Sequence, residues 1–186
     1  DFVDFFADIC AGKCRVVQHL MLSCQVIRGG DVLHHELGLN EMAILAGPPF
    51  SMLNVDLYVD AELATTYSCD GLIISTPVGS TAHNLSAGGP IIFPSTKAIL
   101  VTPINPQSLS IRPLLLPDDH KITVQSHNPD QKFVKMVSDG RQELQILPDY
   151  KIHITKHTAN TSILRIKGLS YMEAIRTKLG WSGFHG

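Results

Sequence analysis

The sequence predicts a mainly β chain, a sandwich of short strands with a helix near each end. Three observations point there. Short runs of alternating apolar and polar residues recur, as half-buried strands require. Clusters of Gly, Asp and Pro punctuate those runs. Capped or amphipathic helical signals stand out near the two ends of the chain.

Taken in order, Phe2, Phe5, Phe6 and Ile9 lie at helical spacing, with aspartates in the first turn and Gly12 at the exit. From Arg15 the period changes. Leu20, Leu22, Cys24 and Val26 alternate with His19, Met21, Ser23 and Gln25, a strand pattern. Arg28-Gly29-Gly30-Asp31 reads as a turn, so the next segment is expected to return as a hairpin. Val55, Leu57 and Val59, the turn Asp60-Ala61-Glu62, and Leu63, Thr65, Tyr67 and Cys69 predict a second hairpin. Leu72 to Ser75 is a short apolar run that meets Pro77 and Gly79. A short helix is expected from Thr81 to Ala87, closed by Gly88-Gly89-Pro90. Ala98 to Thr102, Ile122 to Gln125, Phe133 to Val137, Lys151 to Lys156 and Ser162 to Ile166 complete the strands. The final helix opens on a capping box, Ser170 with Glu173, and stops at Gly180 after Lys178. No repeat or long linker interrupts the pattern, so residues 1–186 are expected to form one domain.

Composition narrows the function classes. The 186 residues are 44% hydrophobic, 17% charged and 6% aromatic, too apolar for a disordered chain. A chain near this size buries roughly 70% of its unfolded surface and needs no staple. Fifteen basic against seventeen acidic residues give a formal charge of −2, so no nucleic-acid partner is expected. No apolar run approaches the ~18 residues of a membrane span, and no membrane partner is expected. Asp1, Asp4 and Asp8 are unlike the basic start of a signal peptide. Cys10, Cys14, Cys24 and Cys69 are expected as buried, reduced thiols in a cytoplasmic protein. Cys10 and Cys14 lack zinc-knuckle spacing. His34 and His35, as strand neighbours, point to opposite faces, so no metal site is expected.

Chemistry concentrates in Asp70-Gly71-Leu72-Ile73-Ile74-Ser75-Thr76-Pro77-Val78-Gly79-Ser80-Thr81-Ala82-His83-Asn84-Leu85-Ser86-Ala87-Gly88-Gly89-Pro90. A strand enters a loop of small hydroxylated residues and glycines, and a helix starts. Small side chains let a ligand approach the backbone. The first helical amides are donors without intrahelical partners, and Ser80 or Thr81 is placed to cap the helix or touch a ligand. On spacing alone, a capped turn without a ligand is the better reading of the segment.

The segment resembles the signature of the NAD kinase family, D-G-L-I-x-S-T-P-T-G-S-T-A-Y-x-L-S-A-G-G-P. Leu39-Asn40-Glu41 resembles the family's L-N-E motif, and Thr102 to Leu114 resembles its T-P-I-x-P-H-S-L-x-x-R-P-L stretch. Val137-Ser138-Asp139-Gly140-Arg141 and Lys178-Leu179-Gly180-Trp181 match later family features in the same order. The resemblance implies the family's C-terminal β-sandwich lobe, which binds NAD against an N-terminal Rossmann-like lobe that this sequence lacks. It implies phosphorylation of the 2′-hydroxyl of the NAD adenosine ribose to give NADP. The implied donor is ATP with a divalent metal such as Mg, or polyphosphate. It implies NAD or NADP as partner and a homo-oligomer, dimer or tetramer. Asn40 and Glu41 are then expected to hydrogen-bond the adenosine half. Thr81, Ala82, His83, Asn84, Leu85 and Ser86 would line its pocket, and Asp70 would reach a dinucleotide bound mainly by a neighbouring subunit.

Four departures qualify the likeness. The family's catalytic motif, G-G-D-G-T, whose aspartate is the general base, does not occur here. Arg28-Gly29-Gly30-Asp31-Val32 only mimics it, so no catalytic residue is assigned and the chain alone is expected to be inactive. His83 stands where tyrosine is usual, which makes the adenine contact smaller and pH-sensitive. Val78 replaces a hydroxylated residue. Ser68 precedes Asp70 where some members carry an arginine that binds phosphate. A non-catalytic NAD(P)-binding or oligomerisation module is the alternative, and a lipid-kinase relative is a weaker one. Arg112 and Arg141 are candidates for phosphate contacts or ion pairs. Asp118-Asp119-His120 is expected as a solvated turn, and Trp181 is expected to pack against a neighbour.

Overall fold

Strand periodicity dictates the layers. A strand sends alternate side chains to opposite faces, so runs such as Leu22, Cys24 and Val26 require an apolar partner on one side. The computed structural model describes residues 2–47, 52–127, 134–166 and 170–181. The chain divides into two compact units, His19–Thr161 and the pairing of Asp1–Gln18 with Ser162–Gly186.

The larger unit is a sandwich of two antiparallel six-stranded sheets. The first is ordered β3 (Asp31–Gly38), β2 (Leu22–Arg28), β13 (Lys151–Lys156), β10 (Ile122–Ser126), β5 (Leu53–Val59) and β6 (Glu62–Cys69). The second is ordered β12 (Gln142–Ile146), β11 (Val134–Ser138), β4 (Glu41–Ala46), β7 (Gly71–Ser75), β8 (Ala98–Ile104) and β9 (Leu114–Pro117). Leu22, Cys24, Val26, Leu57, Val124 and Ile154 of the first sheet face Met42, Ile44, Leu72, Ile74, Val101 and Met136 of the second in one core. Each fully buried aliphatic side chain contributes about 1.5–3 kcal/mol relative to exposure.

Both hairpins form as the sequence predicts. Gly29 and Gly30 take positive φ between β2 and β3, and Asp60 and Ala61 do so between β5 and β6. The Lys151–Lys156 strand forms with the bounds read from the sequence. Phe133, the predicted first residue of β11, lies outside the described residues. Three strands of this unit had no clear signal: β4, β9 and β12. β4 reads Glu-Met-Ala-Ile-Leu-Ala and does not alternate, because its first four residues are buried on both faces.

The smaller unit contains α1 (Phe2–Cys10), the two-stranded pair of β1 (Cys14–His19) and β14 (Thr161–Ile166), and α3 (Tyr171–Leu179). Gln18 and Ser162 side chains bond across the strand pair at 2.8 Å. The sequence had joined β1 to β2. The structure separates them at Leu20 and Met21. The Ser170 hydroxyl accepts the Glu173 amide at 3.0 Å, and Gly180 closes α3 in the left-handed region, as the capping pattern predicts. Trp181 does not pack away as expected. It is 55% exposed among the described residues.

Thiol placement corrects one expectation. Cys24 and Cys69 are buried, and burial pushes their thiols up to about 12 and about 11. Cys10 is exposed and Cys14 half-buried, because their helix end and strand lie outside the sandwich core. All four are free.

Ile74 sits mid-sheet in β7 with no exposed surface. Ile74→Ala is expected to cost about 2–5 kcal/mol in a urea-unfolding experiment. Leu63→Ala, at a position 51% exposed, is expected to change stability by less than about 0.5 kcal/mol.

Candidate functional site

Strand parity places the site. Met42 and Ile44 of β4, with Leu72 and Ile74 of β7, point into the core. Glu41, Ala43, Ile73 and Ser75 therefore point to the outer face of the second sheet. Glu41 pairs with Ser75 in the β4–β7 register, and Thr102 of β8 pairs with Ile73. The loop that follows Ser75 folds over this face.

Hydroxyls and glycines fix that loop. The Thr76 amide donates to the Asn40 carbonyl at 2.8 Å, and the Thr76 hydroxyl donates to the Leu39 carbonyl at 2.6 Å. The same hydroxyl accepts the Gly79 amide at 3.1 Å. A Cβ on Gly79 would stand 2.1 Å from the Asn40 carbonyl oxygen, so only glycine fits. Ser80 donates to Pro77 at 2.6 Å and accepts the Ile92 amide at 3.1 Å. Asn84 is fully buried. Its amide nitrogen donates to the Ser80 and Pro90 carbonyls, and its oxygen accepts the Thr102 hydroxyl at 2.7 Å. Gly89 packs so closely on Asn84 that a Cβ there would come 2.2 Å from the Asn84 oxygen.

The helix is shorter than the sequence suggested. A 3-10 turn covers Gly79–Thr81, and α2 is His83–Ser86 rather than Thr81 to Ala87. Ala82 occupies the cap position, and neither Ser80 nor Thr81 caps α2. Ser80 is held by Pro77 and Ile92, and the Thr81 hydroxyl donates to the Val78 carbonyl at 3.3 Å.

Asp139 supplies a contact that the sequence did not reveal. It sits with Gly140 in a left-handed turn between β11 and β12, at φ 46 and φ 67. Its carboxylate accepts three consecutive amides: Leu39 at 2.8 Å, Asn40 at 2.8 Å and Glu41 at 3.0 Å. Ser138 donates its hydroxyl to the Leu37 carbonyl at 2.9 Å, and the Asp139 amide returns to the Glu41 carbonyl at 3.1 Å. The Asn40–Glu41 turn is thus clasped from one side by Asp139 and from the other by Thr76 and Gly79.

What remains uncommitted is small and adjacent. Glu41 is 6% exposed, and its Oε2 has no hydrogen-bond partner among the described residues. Burial raises its carboxyl above the ordinary carboxylate range, the Asp139 charge adds to this, and the His83 backbone amide holds it back. Asn40 is half-buried, and its side-chain amide makes no hydrogen bond among the described residues. Thr81, His83 and Ser86 are exposed, with Ala82 and Leu85 half-buried beside them. The structure therefore brings the His83 amide to the Glu41 carboxyl, leaves Thr81, His83 and Ser86 exposed, and uses Asn84 as an internal strut.

Asp70 lies elsewhere. It precedes the five residues of β7 that Ser75 closes, about 17 Å along the strand. Its carboxylate is exposed and accepts the Asn105 side-chain amide at 2.9 Å. Asp31 sits on the exposed β2–β3 turn of the other sheet. Asp118 corrects the solvated-turn expectation. It is buried and holds Lys156 at 2.6 Å, while His120 pairs with Asp60. Arg112 donates to the Leu109 and Ile111 carbonyls. Among the described residues no three His, Cys, Asp or Glu side chains converge on one point.

Glu41 gives a pH test. A carboxyl raised in the folded chain is disfavoured when ionised, so stability falls as pH rises from the unfolded carboxyl range through the raised folded value. Glu41→Gln cannot ionise and keeps an acceptor for the His83 amide. It is expected to unfold at higher urea than the wild type at pH 7, and to lose that advantage below the ordinary carboxylate range.

The chain matches known proteins over this same region. The family described as "ATP-NAD kinase C-terminal domain" matches residues 39–166, which include Asn40, Glu41, the Ser75–Pro90 loop and Asp139. The NAD kinase of Rhodopirellula baltica is 44% identical over 183 residues, 98% of this chain and 58% of that protein. The NAD kinase of Solibacter usitatus is 38% identical over 174 residues, 91% of this chain and 59% of that protein. Yeast NADH kinase, solved in complex with NADH, superposes with a TM-score of 0.90 at 26% identity, over 99% of this chain and 54% of that one. An NAD kinase from Archaeoglobus fulgidus, solved with ATP, gives a TM-score of 0.77 at 26% identity, over 98% of this chain and 67% of that one. The chain thus spans under three fifths of the length of these bacterial relatives. With its site residues inside the matched region, this chain belongs to the NAD kinase family, as that family's C-terminal domain.

Proposed function

We propose that this chain grips the adenosine half of NAD within an enzyme that phosphorylates its ribose 2′-hydroxyl to give NADP. One observation carries this reading: the buried, unpartnered Glu41 Oε2 beside the uncommitted Asn40 amide. A ribose offers hydroxyl donors, and leaving a buried oxygen unmet costs about 1–3 kcal/mol. Binding there supplies the missing partner. The backbone of Thr81 and Ala82, with the His83 ring, forms the adjoining wall for the base.

The chain's part in the reaction is binding and orientation. A held ribose presents its hydroxyl in one direction, and positioning dominates phosphoryl transfer. The phosphate donor in this reading is ATP with a divalent metal such as Mg, or polyphosphate. The described residues offer no cluster suited to hold that metal. In this reading the general base is not among the residues of this chain. Asp70, about 17 Å from the Ser75 end of the loop, serves a dinucleotide held by a second copy. A homo-oligomer, dimer or tetramer, is part of this reading for that reason. A cytoplasmic setting belongs to it as well, supported by the free thiols of Cys24 and Cys69.

Calorimetric titration with NAD tests the site. Asn40→Ala and Glu41→Ala are each expected to weaken binding about tenfold or more, near 1.4 kcal/mol. Wild-type affinity in both variants contradicts the reading. In a coupled NADP assay, the 186-residue chain is expected to show no turnover above background, since a missing general base alone costs about 10²–10⁴-fold. Normal turnover by the chain contradicts that expectation.

A further inference from the structure

The first sheet carries its own groove, on the side of the sandwich away from the Ser75–Pro90 loop. Ile122 and Val124 of β10 and Ile152 and Ile154 of β13 point into the core. Their neighbours Thr123, Gln125, Lys151 and His153 therefore point outward. Register sets them in rows. Thr123 stands between Tyr58 of β5 and His153 of β13, and Gln125 stands between Asp56 and Lys151. Lys121 precedes β10, two residues before Thr123. With Asp60 and Ala61 at one end, these side chains line a groove of about 580 Å³.

The charges there are unbalanced. Neither Lys121 nor Lys151 has an ion-pair partner among the described residues. Asp60, the acidic residue in the lining, is engaged by His120 and the Lys121 amide. Asp56, opposite Gln125, is held by Thr66 and His127, and Asp149, two residues before Lys151, pairs with Arg28. From β2, the uncharged Gln25 and Ile27 stand opposite His153 and Lys151, and His35 of β3 lies one strand further. Burial, followed by the Lys121 and Lys151 charges, holds the His153 imidazole below its ordinary range.

The spacing selects the ligand's shape. Lys151 and His153 are two residues apart, about 7 Å along the strand, and Lys121 lies a further two residues beyond the Thr123–His153 pair. Three basic groups in a row about 14 Å long suit an extended anion better than a single compact one. Thr123 and Gln125 add hydrogen-bonding groups along the floor, and the Gln125 amide already donates to the Tyr58 hydroxyl at 3.2 Å. We propose that the Lys121–His153–Lys151 groove is a second ligand site, which binds a chain of three or more linked phosphates, inorganic or carried on a nucleotide. The bound anion offsets the two ammonium charges and favours the protonated His153 ring.

The test is a titration of the 186-residue chain with inorganic triphosphate, read at the His153 ring protons by NMR across pH. Saturable binding that raises the His153 titration midpoint is expected. Lys121→Gln combined with Lys151→Gln is expected to weaken it at least tenfold, with the resonance of His83, in the loop on the second sheet, unmoved as a check on folding. Saturating NAD is expected to leave the triphosphate titration unchanged. ATP that matches triphosphate assigns recognition to the phosphate chain itself. No shift at His153 with triphosphate, a shift that survives in the double variant, or displacement by NAD overturns the proposal.

Discussion

A single carboxylate that accepts three successive backbone amides is an unusual commitment of charge, and Asp139 makes it to Leu39, Asn40 and Glu41. Hydrogen bonds to an ionised acceptor are roughly twice as strong as neutral ones, and here the acceptor is partly buried. The three amides leave β3 and enter β4, where the chain changes sheets. Without Asp139 these donors would need water at a position the loop covers. The Asp139 carboxylate therefore sets where Asn40 and Glu41 stand, and Thr76 and Gly79 then dock the loop on their backbone. The negative charge has a second effect. It lies close enough to Glu41 to add to the burial that disfavours that carboxylate.

The loop divides its polar groups into two sets. Ser75, Thr76, Ser80 and Asn84 are buried, and their hydrogen bonds are internal. Replacing any of them would leave carbonyls or amides unmet, at about 1–3 kcal/mol each. Asn40, Glu41, Thr81, His83 and Ser86 remain available at the surface or at the mouth of the site. A sequence signature dense in hydroxyls and glycines thus encodes mostly scaffolding. The glycines serve the same end: Gly79 and Gly89 permit backbone and side chain to touch without a Cβ between them. The proposed binding role rests on the few groups the scaffold leaves unsatisfied.

Local patterns were legible where the physics is local. The β2–β3 and β5–β6 hairpins follow from alternation flanking a turn, and α3 follows from Ser170, Glu173 and Gly180. β4 was hidden because burial on both faces erases alternation. α2 came out shorter because Ser80 bonds Pro77 and Ile92 instead of capping a helix. Motif resemblance singled out both Asn40–Glu41 and the loop, and the structure packs the loop on the backbone of Leu39 and Asn40. The role of Asp139 was not, since it depends on contacts with residues about one hundred positions earlier. The basic row of Lys121, His153 and Lys151 was equally silent, because only the β10–β13 register assembles it.

The most direct test of the account is a calorimetric NAD titration of Asp139→Asn. Asparagine tolerates the left-handed backbone at this turn and keeps one carbonyl oxygen, but it loses the charge and the second acceptor. The account predicts a folded protein whose NAD affinity drops about tenfold or more, because the Asn40–Glu41 turn is no longer held. An unchanged affinity would contradict it.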